Sequence, residues 1–318
     1  MICNAKNPPI HLWVYNNPLH GISDQIEFIF MIMREHGYKI TMSRHPREDA
    51  LNLVVENFSE ATSGTLIEFC KNHGKRVALV MTEHLDLMGY QLFIHGDPLW
   101  SKNDYMHPAT QVARIKNMMD CIPYLRAILV LGDLPELIGA DVMFPGVPVR
   151  TLPFPKIDFI DVSKKEAKTD FVFSGVLTDF RKDILKKIQL NYSVDHPNYF
   201  LTRKERDRLY ETAKIILNVP QRDGWRWLSL MRVMAALRCG RATISIGTND
   251  SSAISCCCIQ LSESEWERQI SGLLADWRNV YRNSYDQYET MRLKFVNQRR
   301  FPTDLFQYWA SIETISCI

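Results

Sequence analysis

The sequence predicts an α/β protein built from two parallel, helix-covered sheets, and three features predict it. Short aliphatic runs alternate with segments of helical periodicity along most of the chain. Several of those runs are apolar throughout, as strands buried on both faces must be. A proline-rich segment near the middle, residues 144–159 (FPGVPVRTLPFPKIDF), separates two such alternating series. A length of 318 residues suits two domains.

The elements follow in order. Residues 10–15 (IHLWVY) read as the first strand, and the loop NNPLHGISDQ after it is rich in turn formers. Ser23 is placed to cap a helix over 24–36, with Ile26, Ile29, Phe30 and Met33 on one face and Gly37 at its end. YKITMS (38–43) and LNLVV (51–55) are the next strands, and a helix over 59–73 stops at Gly74. RVALVM (76–81) is a fourth strand, with Thr82, Glu83 and His84 just past its end. Residues 90–105 are aromatic and irregular, 108–119 helical, and AILVL (127–131) a further strand. The four prolines of 144–159 make that segment an extended linker.

Beyond the linker the alternation restarts. DFVFS (170–174) is a strand, 175–179 a loop and 180–188 a helix. The stretch 203–247 has the ingredients of a parallel βαβ unit. A charged segment (203–213) leads to an apolar strand (214–219), a polar turn (221–224) and a helix over 225–237 stopped by Cys239-Gly240. A short strand (241–246) then closes at Gly247. Helices over 264–277, 281–297 and 301–315 finish the chain. The tryptophans (Trp225, Trp227, Trp266, Trp277, Trp309) read as packing residues before they read as a sugar platform.

Composition narrows the function classes. Apolar content of 46% and charged content of 23% are those of an ordinary globular protein. A net charge of +2 lacks the basic excess typical of nucleic-acid binding. Eight cysteines include the adjacent Cys256, Cys257 and Cys258 but no C-x-x-C pair. That spacing suits neither zinc nor a disulfide framework, and reduced, mostly buried thiols are expected. The N-terminal residues lack the pattern of a signal peptide, and no apolar run approaches ~18 residues. A cytoplasmic location is the expectation. Dinucleotide, P-loop, zincin and serine-hydrolase motifs are missing. No two aspartates have D-x-D spacing, so no metal site is expected.

One stretch resembles a known family. Arg232-Val233-Met234-Ala235-Ala236-Leu237-Arg238-Cys239-Gly240-Arg241-Ala242-Thr243-Ile244 is similar to the R-x-x-E-A-L-A-x-G-x-P-V-I segment of GT-B glycosyltransferases, matching at Arg232, Leu237, Gly240 and Ile244. Phe173-Ser174-Gly175 followed by Arg181-Lys182 resembles the glycine loop opening that family's donor domain, and Thr151-Leu152-Pro153-Phe154-Pro155 its interdomain crossing. The family's ribose-holding glutamate falls on Ala235, which leaves the donor open. Asp195-His196-Pro197 resembles a His-Pro pair of GT-B enzymes that use CMP-activated acidic sugars.

The resemblance implies two Rossmann-like domains facing a cleft, with C-terminal helices. Residues 1–150 would bind the acceptor, 151–300 the nucleotide-sugar donor, and a helix over 301–318 would pack back on the first domain. The implied activity moves a hexosyl or acidic sugar from a nucleotide donor to a glycan, glycolipid or other hydroxyl acceptor, with no metal or other cofactor. A nucleotide-sugar epimerase or hydrolase of the same fold, and a non-catalytic binding protein, are the alternatives.

Such a transfer needs a stabilised leaving phosphate and, for inversion, a base. Gly175 allows close backbone approach to a phosphate, and Arg181 and Lys182 stand where a helix begins beside it. Arg232 lies in an apolar helix and so needs a partner: a donor phosphate or carboxylate, or a structural carboxylate such as Asp223 or Asp250. Arg222 and Arg226 flank the same helix. His196 and the post-strand loop Gly247, Thr248 and Asn249 complete the donor candidates, placed where open α/β sheets bind ligands. Base candidates are Asp24, Glu83 and His20. Asp24 could instead favour the dipole of its own helix, and Glu83 could pair with His84. His95 and Asp97 lie in an aromatic loop suited to covering an acceptor. The basic, aromatic segment 294–301 (KFVNQRRF) suits peripheral contact with an anionic membrane face carrying a lipid-linked acceptor, a solvated helix end being the plainer alternative.

Overall fold

The computed structural model describes residues 7–15, 17, 19, 21–55, 59–81, 85–88, 91–94, 97–98, 108–133, 140–197 and 199–313. They divide into two compact units. One comprises Met1–Pro18, Phe28–Pro155 and Val296–Ile318; the other comprises Leu19–Glu27 and Lys156–Phe295.

The first unit carries β1 (Ile10–Trp13), α1 (Ser23–Glu35, whose first turns group with the other unit), β2 (Ile40–Ser43), β3 (Leu51–Val55), α2 (Glu60–His73) and β4 (Val77–Met81). A small antiparallel sheet follows, of β5 (Leu85–Met88), β6 (Gln91–Ile94) and β7 (Asp97–Pro98). Then come α3 (Pro108–Asp120), β8 (Leu125–Leu131), α4 (Ala140–Met143) and β9 (Val149–Leu152). The main sheet has the order β2-β1-β3-β4-β8-β9 and is parallel throughout. Its central strands β3 and β4 are wholly buried, which is why they read as unbroken aliphatic runs. Ser59 and Thr62 form a capping box at the start of α2, and Gly74 closes it in the left-handed conformation at φ 61°.

Two expectations change here. The segment 144–159 is not an extended linker throughout, because Val149–Leu152 forms β9 on β8. Its prolines are compatible with this because β9 is an edge strand, and Pro148 lends only its carbonyl, to Ile128 N at 2.9 Å. The irregular stretch 90–105 likewise contains β6 and β7.

The second unit carries β10 (Thr169–Val172), α5 (Asp179–Gln189), β11 (Val194–Asp195), α6 (Arg203–Tyr210), β12 (Ala213–Asn218), α7 (Leu230–Arg238), β13 (Ala242–Ile246), β14 (Cys258–Leu261), α8 (Trp266–Ala275) and α9 (Trp277–Gln298). Helix α10 (Thr303–Ile312) belongs to the first unit. There Phe306 packs on Tyr38, and Glu313 just beyond it accepts from Trp309 Nε1 at 2.7 Å and Arg76 N at 2.9 Å. The second sheet, β11-β10-β12-β13-β14, is also parallel throughout. Chain direction along it reverses between β10 and β12, and open α/β sheets bind ligands at the carboxyl end of such a switch.

The helix expected over 225–237 begins only at Leu230. Long-range bonds capture the residues before it. Leu228 N donates to Asp250 Oδ2 at 2.8 Å, and Asn249 N donates to Arg226 O at 3.0 Å. From Val233 to Leu237 every side chain of α7 is buried, and each large aliphatic one stabilises the fold by about 1.5–3 kcal/mol. Ala235 belongs to this core, clustered with Val172, Tyr210, Ala213 and Ile216. Among the described residues no helix is long and apolar enough to cross a membrane.

Candidate anion site at the switch point of the second sheet

The chain after β10 runs Phe173-Ser174-Gly175 and then enters α5, where Thr178 is the N-cap and accepts from Arg181 N. Arg181 is buried and turns back across the switch point. Its Nε donates to Val219 O, just past β12, at 2.9 Å, and its Nη1 to Val176 O at 2.8 Å. Arg232, in the first turn of α7, donates through Nη1 to Asn218 Oδ1 at the end of β12. The two guanidinium groups lie 5.4 and 5.5 Å from the Phe173 ring centroid. Among the described residues, neither is paired with a carboxylate. Burial, and secondarily the charge of Arg232, pull the Arg181 pKa down to about 9. Two cations facing one aromatic ring without an anion form a site electrostatically suited to a phosphate or diphosphate.

The surrounding bonds fix this pair. A Cβ on Gly175 would lie 2.8 Å from Phe173 Cζ and 3.2 Å from Arg232 Nη2, so glycine is what lets the loop pass. His196 stacks on Phe173 at 5.4 Å, its Nε2 lying 3.2 Å from Gly175 O. The Ser174 and Tyr210 hydroxyls are 2.5 Å apart. Asn218 Nδ2 donates to Ser245 Oγ at 2.8 Å, and Thr248 Oγ1 lies 2.7 Å from that oxygen. Gly247 turns the loop at φ 81°. Gln260 on β14 then holds both backbone groups of Asp250, accepting from N at 2.7 Å and donating to O at 2.8 Å.

Gly175, Arg181, His196 and Arg232 therefore come together around Phe173. Thr248 belongs to the network behind Asn218, and exposed Asn249 serves through its backbone. Lys182 stands apart on an exposed face, paired with Asp179 at 3.0 Å. Asp250, one of the carboxylates weighed as the structural alternative for Arg232, is not its partner: it binds Leu228 N and, at 2.7 Å, Ser252 N. Asn218 is not singled out by the sequence, and Phe173 only as part of the Phe173-Ser174-Gly175 motif. The only sequence signal for Asn218 is a polar residue ending a buried apolar strand.

Asp24 groups with the same unit. Its Oδ1 accepts from Arg206 Nη2 at 2.8 Å and Arg238 Nη2 at 3.0 Å, and its Oδ2 accepts from Arg206 Nη1. All three side chains are 12–13% exposed. Glu83, His84, His20 and His95 lie outside the described residues, as does the side chain of Asp97. In the segment 294–301 both aromatic side chains, Phe295 and Phe301, are buried.

No family model matches the chain, and no curated protein matches it. Solved structures similar to it include an α1,3-fucosyltransferase at 12% identity, over 97% of this chain and 90% of that one, with a TM-score of 0.37. Another is the pneumococcal O-GlcNAc transferase GtfA in complex with UDP and GlcNAc, at 14% identity, 83% and 56% coverage, and a TM-score of 0.42. A third is AviGT4, a glycosyltransferase involved in avilamycin A biosynthesis, at 12% identity, 91% and 99% coverage, and a TM-score of 0.41.

Proposed function

We propose that this chain is a metal-independent glycosyltransferase whose second unit binds a nucleotide-sugar donor through its diphosphate. The observation that carries the reading is the carboxylate-free pair Arg181 and Arg232, set around Phe173 and Gly175 at the switch point of a parallel sheet. As the glycosidic bond to the donor breaks, negative charge grows on the departing phosphate oxygen. Fixed guanidinium groups in a partly desolvated site stabilise that charge without reorganising, which is the task a metal would otherwise have. The motif resemblance over 232–244 supports the same assignment. The core position of Ala235 supports a donor site that holds its ribose by other residues.

The acceptor in this reading is a hydroxyl of a glycan or a lipid-linked sugar, met on the cytoplasmic side. Asp24 has its carboxylate oxygens occupied by Arg206 and Arg238, which favours a positioning role over proton abstraction. The base role then passes to Glu83 or His20. The test is to incubate the full chain with UDP-, GDP- and CMP-sugars, with EDTA, with and without oligosaccharide acceptors. Acceptor-dependent release of nucleotide supports the transferase. Release at the same rate without acceptor identifies a hydrolase, interconversion of the bound sugar an epimerase, and no turnover despite binding a non-catalytic protein.

A further inference from the structure

The run Cys256-Cys257-Cys258 has no part in the anion site, yet it stands at the entrance to β14, after a 3-10 turn over Ala253–Cys257. Cys256 is exposed and Cys257 is fully buried. Their sulfur atoms are 3.6 Å apart. We propose that Cys256 and Cys257 are a peroxide-sensitive dithiol that closes reversibly into a vicinal disulfide and, in closing, loosens the loop carrying Asp250.

The chemistry follows from the geometry. The contact between the two sulfur atoms brings the Cys256 pKa down to about 7. The exposed residue therefore supplies the thiolate, and the same contact followed by burial pushes Cys257 upward. The Cys256 thiolate attacks one oxygen of hydrogen peroxide, the O–O bond breaks, and sulfenic acid and hydroxide form. Cys257 sulfur then attacks the sulfenic sulfur; its proton and the departing hydroxyl leave as water. Two thiols lose two electrons, and one peroxide becomes two waters. Neighbouring residues stand about 3.8 Å apart across a trans peptide, short of the usual Cα span of a disulfide of about 4.4–6.8 Å, so the bond is strained and readily reduced again.

The structural consequence is local and directional. The ring so formed contains the peptide bond between the two cysteines, and drawing the sulfur atoms from 3.6 Å to about 2.05 Å strains the backbone around it. The final turn, closed by Cys258 N donating to Ser255 O, cannot keep its form. Two residues beyond Cys258, Gln260 clamps Asp250, and Asp250 holds Leu228 N ahead of α7. Oxidation thus reaches the strap before Arg232 through a continuous chain of bonds, whatever ligand Arg232 serves.

Peptide mapping and hydrogen exchange on the full chain, treated with hydrogen peroxide, test this. The expected result is loss of two hydrogens from the peptide carrying Cys256 and Cys257, reversed by dithiothreitol. Cys257→Ser traps dimedone at Cys256 instead, Cys256→Ser does neither, and Cys258→Ser still forms the bond. In the oxidised protein the Leu228 and Asp250 amides exchange roughly tenfold faster. Dimedone labelling of wild type at Cys256 with no intrapeptide disulfide would overturn the proposal, as would a bridge to another cysteine. So would a disulfide that leaves both amides as protected as before.

Discussion

Replacing Arg232 with alanine separates a ligand-binding arginine from a packing one. Its guanidinium makes one side-chain bond, to Asn218 Oδ1, and shares the Phe173 face with Arg181. On folding, Arg232→Ala strands Asn218 Oδ1, a loss of about 1 kcal/mol. Against that, it removes the like charge that helps lower the Arg181 pKa. The two effects oppose each other, so the melting temperature should move by no more than about 2–4 °C. On binding, the variant loses a charge-assisted bond to phosphate, worth about 1.5–3 kcal/mol. That weakens a nucleoside diphosphate roughly 10- to 150-fold. Isothermal titration of wild type and variant with the tightest-binding nucleotide, beside thermal melts of both, reads the two quantities separately. An unchanged dissociation constant in a folded variant would refute the donor-site assignment.

Other consequences are as definite. Asp24→Ala leaves Arg206 and Arg238 without their shared carboxylate and should cost about 3 kcal/mol in urea unfolding; a base role would instead abolish turnover at unchanged stability. Gly175→Ala places a methyl 2.8 Å from Phe173 and 3.2 Å from Arg232 Nη2, and nucleotide affinity should fall about as far as in Arg232→Ala, by displacement rather than loss of charge. His11, buried between Thr41 and Ser43, is held neutral chiefly by desolvation, with its pKa below the ordinary value of 6.5. The unfolded chain therefore binds the extra proton first as pH falls. Stability from this site is complete above pH 6.5 and is lost as pH drops through the lower folded pKa. Unfolding midpoints across that range should show a slope that His11→Asn reduces.

Much of this fold is written in local patterns. The buried strands β3, β4, β12 and β13 are aliphatic runs bounded by turn residues, and such runs signal a parallel sheet without help from tertiary contacts. What local pattern could not supply is a bond reaching across the chain. Local pattern starts α7 too early, because Trp225, Trp227 and Leu228 continue its apolar character. The backbone there answers instead to Asp250, which accepts from Leu228 N, and to Asn249, which donates to Arg226 O. Asp24 read as a helix-start carboxylate or a base, while its partners Arg206 and Arg238 lie 182 and 214 positions away. Arg232 announced the need for a partner, but that partner is an amide oxygen at a strand end, a group no charge pattern reveals. Cys256 looked like one of three buried thiols; the turn before β14 leaves it exposed.

The central claim is that Arg181 and Arg232 form a binding site for a nucleoside diphosphate without a metal. Calorimetric titration of the wild-type chain with UDP, GDP, ADP and CMP, in EDTA, tests it most directly. Saturable binding of at least one diphosphate, retained in EDTA and weakened at least about tenfold in Arg232→Ala, is the predicted result. No binding by any of them, or binding that EDTA abolishes, would contradict it.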